Sequence, residues 1–301
     1  VRAFVATGAL LAALIVAGYV FLSGQSGLDL VVRELVARSG GALKIDGAAG
    51  SLFDTVRIRR VAWRGPDTHV SADDVALTWN PAALLSRGIV VRGLGARRLT
   101  LETNSAAGDV PLPENMALPI EVKIERLGVG ELDWRVGTSK GVIHGLAFGY
   151  SGGAAGHRVS DVTFVAAMGS VTGNATIGAD APFPIAGRLK AKGDAAVAGA
   201  DADIVLGGSL AALTLEGGGR AGAARFTGRA SLVPLAAAPL REAALDAAGI
   251  DLSAWNATLP ATELTVALRA GSADGAIAGT IEATNAAPGS IDAGRLPLST
   301  L

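Results

Sequence analysis

The chain has 301 residues, 50% of them hydrophobic and only 18% charged, with a formal net charge of −1. A near-neutral balance leaves no basic surface for nucleic acid, and so much apolar content excludes a disordered chain. Without a single cysteine, thiol catalysis, disulfides and cysteine-ligated metals are excluded too.

Ala3–Ser23, AFVATGALLAALIVAGYVFLS, carries no charge. As a helix of roughly 20 residues it would span ~30 Å, the hydrocarbon thickness of a bilayer. Tyr19 and Phe21 stand near its far end, where aromatic rings favour the interface. Arg2 is the one charge before it, which favours an N-terminus inside. A cleaved signal peptide would need a shorter apolar core and small residues ahead of the cut. Phe21 and Leu22 occupy those places, leaving Gly24-Gln25-Ser26 as a passable site, and a buried core helix is the third reading. The favoured expectation is a retained single-pass anchor over 3–23. The later residues then lie across the membrane, in the periplasm if the membrane is the inner one of a Gram-negative cell.

Next, Leu28, Val31, Val32, Leu35 and Val36 recur at helical spacing. Asp29 falls in the first turn, Arg38 in the last, and Gly40-Gly41 supplies a stop, so the sequence predicts an amphipathic helix over 27–39. It would either lie on the bilayer or cap the structure that follows.

From Leu43 the period becomes two. Val56 and Ile58 alternate and then slip phase to Val61 and Trp63, as a bulge would make them do. Val70 and Ala72 slip in the same way to Val75, Leu77 and Trp79. Leu99 with Leu101, Ile120 with Val122 and Ile124, the run to Trp134, and Ile204 with Leu206 repeat the theme. Turn sequences such as RGPD, GGAAG, EGGG and SADG punctuate it, the pattern of an antiparallel all-β chain of many short strands. Asn80–Gly88 reads as a short helix with Asn80 as cap and Pro81 as its start, and Leu240–Gly249 as a second helical insertion. The predicted fold is therefore mainly β: two N-terminal helices, then one elongated antiparallel sheet over 43–301 with one or two helical insertions.

Chemistry is hard to find in this chain. Gly217, Gly219 and Gly222 match G-x-G-x-x-G, but a strand follows where a dinucleotide site needs a helix. His69, His144 and His157 have no ligand-like neighbours, so no metal is expected. Asp73-Asp74 reads as an acidic guard on a strand edge rather than a Ca²⁺ site. NAT at Asn174 and Asn256 matches a glycosylation sequon. No catalytic residue or cofactor emerges, and the expectation is a protein that is not an enzyme. The candidate binding set is the apolar face: Val56, Ile58, Val61, Trp63, Val75, Leu77, Trp79, Leu99, Leu101, Val122, Ile124 and Trp134. For Trp63, Trp79 and Trp134 the pattern taken alone favours ordinary packing at a sheet corner over contact with an apolar ligand. A sheet apolar on one face must hide that face, by closing on itself or by covering it with a ligand such as acyl chains.

In order along the chain come the apolar anchor, the short helix and IDGAAGSLFDTVRIRRVAWRGPDTHVSADDVALTWNPAALLSRGIVVRGLGARRLTLE, then APFPIAGRLKAKG and NAAPGSIDAGRLPL. This succession resembles the N-terminal part of the TamB family, in the AsmA-like superfamily. The resemblance implies a sheet curled into an apolar trough, of the β-taco type, anchored in the inner membrane and reaching across the periplasm. It implies phospholipid transport between the membranes and support of outer-membrane protein assembly. The partner implied is a TamA-type barrel, met through a C-terminal region with no counterpart here. A protein-assembly scaffold capturing client strands at its sheet edges is the alternative. IEATNAAPGSIDAGRLPLSTL, with a strand end at Ile281–Ala283 and a Pro288-Gly289 turn, reads as the entry to a further strand. The chain is accordingly expected to be the membrane end of a longer protein.

Overall fold

The computed structural model describes residues 24–86, 88–103, 112–137, 139–194, 199–236, 238–254, 258–273 and 276–300. The expected anchor over 3–23 and the Asn256 sequon lie outside them. Among the described residues, no helix is long and apolar enough to cross a membrane.

Mainly β-structure is what the alternation builds: among the described residues, fifteen strands are hydrogen-bonded in chain order into one open sheet. The chain divides into two compact units, Val1–Ser105 with Ile120–Tyr150, and Ala106–Pro119 with Ser151–Leu301. The first contains helix α1 (Gln25–Arg38), β1 (Leu43–Gly50), β2 (Thr55–Arg64), β3 (Thr68–Asn80), β4 (Gly88–Thr103) and β5 (Glu121–Val136). It also takes β6 (Ser139–Gly153) as far as Tyr150. The second holds β7 (Gly156–Ala166), β8 (Gly169–Gly178), β9 (Ile185–Gly193), β10 (Ala200–Gly208) and β11 (Leu213–Ala221). It continues with β12 (Ala224–Leu232), β13 (Leu240–Ile250), β14 (Leu264–Ala273) and β15 (Ala276–Asn285).

Three expectations need correction. Leu240–Gly249 is strand, not helix: it forms β13, paired with β12 and β14. Its Ala-rich composition favours a helix locally, but pairing on both edges satisfies the backbone and wins. Nor is the sheet antiparallel throughout. The ladders β1 to β4 and β7 to β15 are, whereas β4 and β5 run parallel, Gly88 opposite Glu121 and Thr103 opposite Val136. The end of β4 and the start of β5 are therefore separated by the length of a 16-residue strand, about 50 Å. Finally, Asp73 and Asp74 do not guard an edge, because β3 lies between β2 and β4. Each pairs with an arginine of a neighbouring strand, Asp73 with Arg60 and Asp74 with Arg97.

Other local expectations hold. Asn80 Oδ1 accepts the Ala82 N–H at 3.2 Å and opens a 3-10 helix over Pro81–Ser86. The G-x-G-x-x-G match spans β11 and a two-residue turn: Ala221 faces Ala224, with Gly222 at φ +61 between them. In the second unit Phe183 is fully buried and fixes the entry to β9, its N–H donating to Asp180 O at 2.7 Å. After β15, Thr300 returns to bridge Thr284.

Candidate apolar binding face

Cross-strand register gathers the predicted residues of the first unit into rows. Val56 of β2 faces Leu77 of β3, which faces Leu94 of β4 and then Leu127 of β5. Ile58 faces Val75, and the row continues at the same level with Ala96 and Val129. Farther along, Val61, Ala72, Leu99 and Leu132 stand in one row, and Trp63, Val70, Leu101 and Trp134 in the next. At the other end Trp79 faces Val91, which faces Ile124, with Ile89 opposite Val122 beyond them. All twelve predicted residues thus share one arrangement on β2–β5, which Leu43 and Ile45 of β1, opposite Trp63 and Val61, extend to a strip about 19 Å across and about 40 Å long.

Between the second and third rows the apolar residues are three apart instead of two. Plain alternation would then send the two halves to opposite faces. A crease prevents this. The register is unshifted on either side, so Gly47, Arg59, Asp74, Arg97 and Gly130 stand level with one another. Gly47 at φ +68 and Asp74 at φ +52 adopt left-handed backbone there, which resets the alternation as a bulge does. A Cβ on Gly130 would fall 2.7 Å from the Arg97 carbonyl, so this level accepts no larger residue on β5 without a shift. The extra residue per strand is spent on the polar side, as two successive charged rows. Asp46, Arg60, Asp73, Arg98 and Glu131 alternate in sign across five strands. Arg60–Asp73 is 3.6 Å, Arg98–Glu131 2.8 Å and Arg97–Asp74 2.5 Å. Hydrogen bonding to Asp74 raises the Arg97 pKa further above its ordinary value. A second slip, where Thr78-Trp79 of β3 face Gly93 and Val91 of β4, leaves Arg92 as its extra residue.

The strip is only partly covered by the chain. Val56, Val91 and Val129 are 5%, 9% and 6% exposed, while Trp63 is 42% exposed. Trp79 is tied down, its Nε1 donating to Leu52 O at 2.7 Å. The Trp134 ring covers Gly141, where a Cβ would come within 2.7 Å of it. Beside the row of Trp63 and Val70 lies a cavity of about 390 Å³, lined by those two residues and by Lys44, Arg60, Arg64, His69, Thr100 and Glu102 among others.

The second unit has an apolar face that the candidate set left out. Leu189, Ile204, Gly217, Gly228, Leu245, Leu268 and Ile281 form one row across seven strands. The paired glycines open a notch of about 250 Å³ in it, walled by Ile204, Leu215, Phe226 and Leu245. Alternation alone would have found Leu213 and Leu215; Leu245 was hidden by the helical reading of its segment.

Polar chemistry remains sparse. His157 Nε2 donates to the Met116 carbonyl at 2.8 Å, and His69 stands between Arg64 and Glu102. Among the described residues, no three His, Asp or Glu side chains gather as metal ligands. Asp251 has a structural task. Its Oδ1 accepts Ser253 Oγ–H at 2.8 Å and the Ser253 and Thr262 N–H groups at 3.1 Å each. These bonds, the Ser253 hydroxyl first, hold its pKa below the usual carboxylate value. The loop between β13 and β14 is pinned by them. Comparison with protein families, curated proteins and solved structures finds no match for this chain.

Proposed function

We propose that the apolar strip of β1–β5 binds phospholipid acyl chains, and that the chain belongs to an inner-membrane-anchored, periplasmic lipid bridge working with a TamA-type barrel. The single observation behind this reading is the crease. Two half-strips out of phase by one residue are returned to one face by a concerted distortion of neighbouring strands, at the cost of left-handed backbone at a non-glycine residue. A stretch of about 40 Å of continuous apolar surface, partly uncovered, suits a long flexible apolar ligand. Each buried CH₂ contributes ~0.8 kcal/mol, so a C16 tail offers on the order of 10 kcal/mol before ordering costs. Aliphatic rows with few polar groups would hold such tails without discriminating among them, and transport would need no catalytic residue. The resemblance of the sequence to TamB proteins supports the same reading, together with a curled, trough-like sheet and a membrane anchor over 3–23.

Photo-crosslinkers at Leu77 and Leu101 test it. They should capture lipid from membranes, and crosslinkers at Arg57 or Lys123 should not. Equal labelling of the two sets would reject the proposal, and capture of client protein instead of lipid would favour the scaffold.

A further inference from the structure

β1 begins the sheet order, so among the described residues one of its edges pairs with β2 and the other with no strand. That outer edge is covered by α1. Gln25 uses its side-chain amide as a neighbouring peptide group would: Nε2 donates to the Ala48 carbonyl at 3.0 Å, and Oε1 accepts the Gly50 N–H at 3.3 Å. Asp29 Oδ1 steadies the same amide by accepting from Nε2 at 2.8 Å. Just past the other end of the helix, Ser39 Oγ accepts the Leu43 N–H at 3.0 Å while donating to Val36 O at 2.7 Å. From residue 25 to 39 a helix rises about 21 Å, and from 43 to 49 a strand advances about 20 Å. Helix and strand edge are therefore matched in length and joined at both ends, with Leu28 buried at 2% exposure. An uncovered strand edge is a template for another strand.

We propose that α1 is an edge guard, and that the surface it masks is complementary to β1 of a second copy of this chain. The choice of occupant follows from the charges. Leu43 turns its N–H outward to Ser39, so by alternation Ile45 presents its N–H and C=O on the same outer side. Antiparallel pairing of two β1 strands about Ile45 places Lys44 opposite Asp46 of the second copy, and by symmetry Asp46 opposite its Lys44. Both side chains are exposed. No like charges meet, and the left-handed Gly47 ends the matched stretch opposite Leu43. While α1 is seated, Ser39 holds the Leu43 N–H inside the paired stretch, and Gln25 keeps the helix on the edge through Ala48 and Gly50 just beyond it.

The absence of cysteine makes Ile45→Cys a unique thiol. In a hydrogen-bonded antiparallel pair the two Cα atoms at the axis are ~5.5 Å apart, within disulfide range. The full chain in detergent with Ile45→Cys alone should give little intermolecular disulfide on mild oxidation. Adding Gln25→Ala and Ser39→Ala should raise the crosslinked yield at least tenfold. Lys44→Asp in that background should return the yield to baseline, and Asp46→Lys on top of it should restore it. No rise after loss of Gln25 and Ser39, or a rise indifferent to the charge exchange, overturns the proposal; nonspecific association of an unfolded variant falls in the second outcome.

Discussion

Arg97 Nε lies 2.5 Å from Asp74 Oδ2, an ion pair between β4 and β3 at the level where β3 takes a left-handed conformation. Both side chains are more than half exposed, and exposed pairs contribute little on their own. The backbone is the greater constraint. A residue with a Cβ loses about 1–2 kcal/mol in this conformation, and aspartate tolerates it better than most. Asp74→Gly should therefore leave stability nearly unchanged despite losing the ion pair, while Asp74→Val should lower it by about 1–2 kcal/mol or more. Urea unfolding midpoints of the two variants test this, and a larger loss in the glycine variant would show that the charge matters more than the backbone.

Neighbouring residues of β4 separate the two faces. Leu99 stands in an apolar row between Ala72 and Leu132, whereas Thr100 by alternation turns to the other face. Leu99→Asp should cut lipid capture by a crosslinker at Leu77 at least tenfold, and Thr100→Asp should change it less than twofold. Equal losses would place the ligand elsewhere.

The glycine pair in the second unit is unequal. A Cβ at Gly217 would come within 2.4 Å of the Asp203 carbonyl, while one at Gly228 would sit 3.3 Å from its nearest neighbours. Gly217→Ala should cost about 1–3 kcal/mol as overpacking against backbone. At Gly228 the conformational advantage of alanine, roughly 0.5–1 kcal/mol, offsets most of the crowding. Denaturation of the two variants should rank them in that order.

Asp251 predicts a pH response confined to one loop. Its folded pKa is depressed, so its stabilisation is present above the ordinary aspartate value, about 3.9, and is lost as pH falls through the depressed value. Amide exchange at Ser253 and Thr262 should accelerate over that acidic window more than at β11 or β12. Asp251→Asn keeps an acceptor oxygen and should flatten the response.

Much of the first unit could be read from its residues because the apolar alternation is strict and its interruptions are local. The slip from Ile58 to Val61 is visible in the sequence, and so is its counterpart from Val75 to Ala72. Their alignment was not, since the level shared by Gly47, Asp74 and Gly130 exists only once β1, β3 and β5 are paired. The parallel run of β4 and β5 was equally hidden: a period of two has no direction. At Leu240–Gly249 the Ala-rich segment favoured a helix, and only partners on both sides decide otherwise. The Asp251 clamp joins residues eleven apart whose types are common in any loop.

Because the register passes through the crease unshifted, the strands of the first unit are bound together in their reading frame. Removing Arg59 alone would swing Val61 and Trp63 toward the charged side while Ala72 and Val70 stayed where they are. Only a simultaneous deletion at the levels of Gly47, Asp74, Arg97 and Gly130 would restore agreement. Length changes in this part of the chain are thus confined to the turns, and the crease acts as a shared phase marker that no single strand can move.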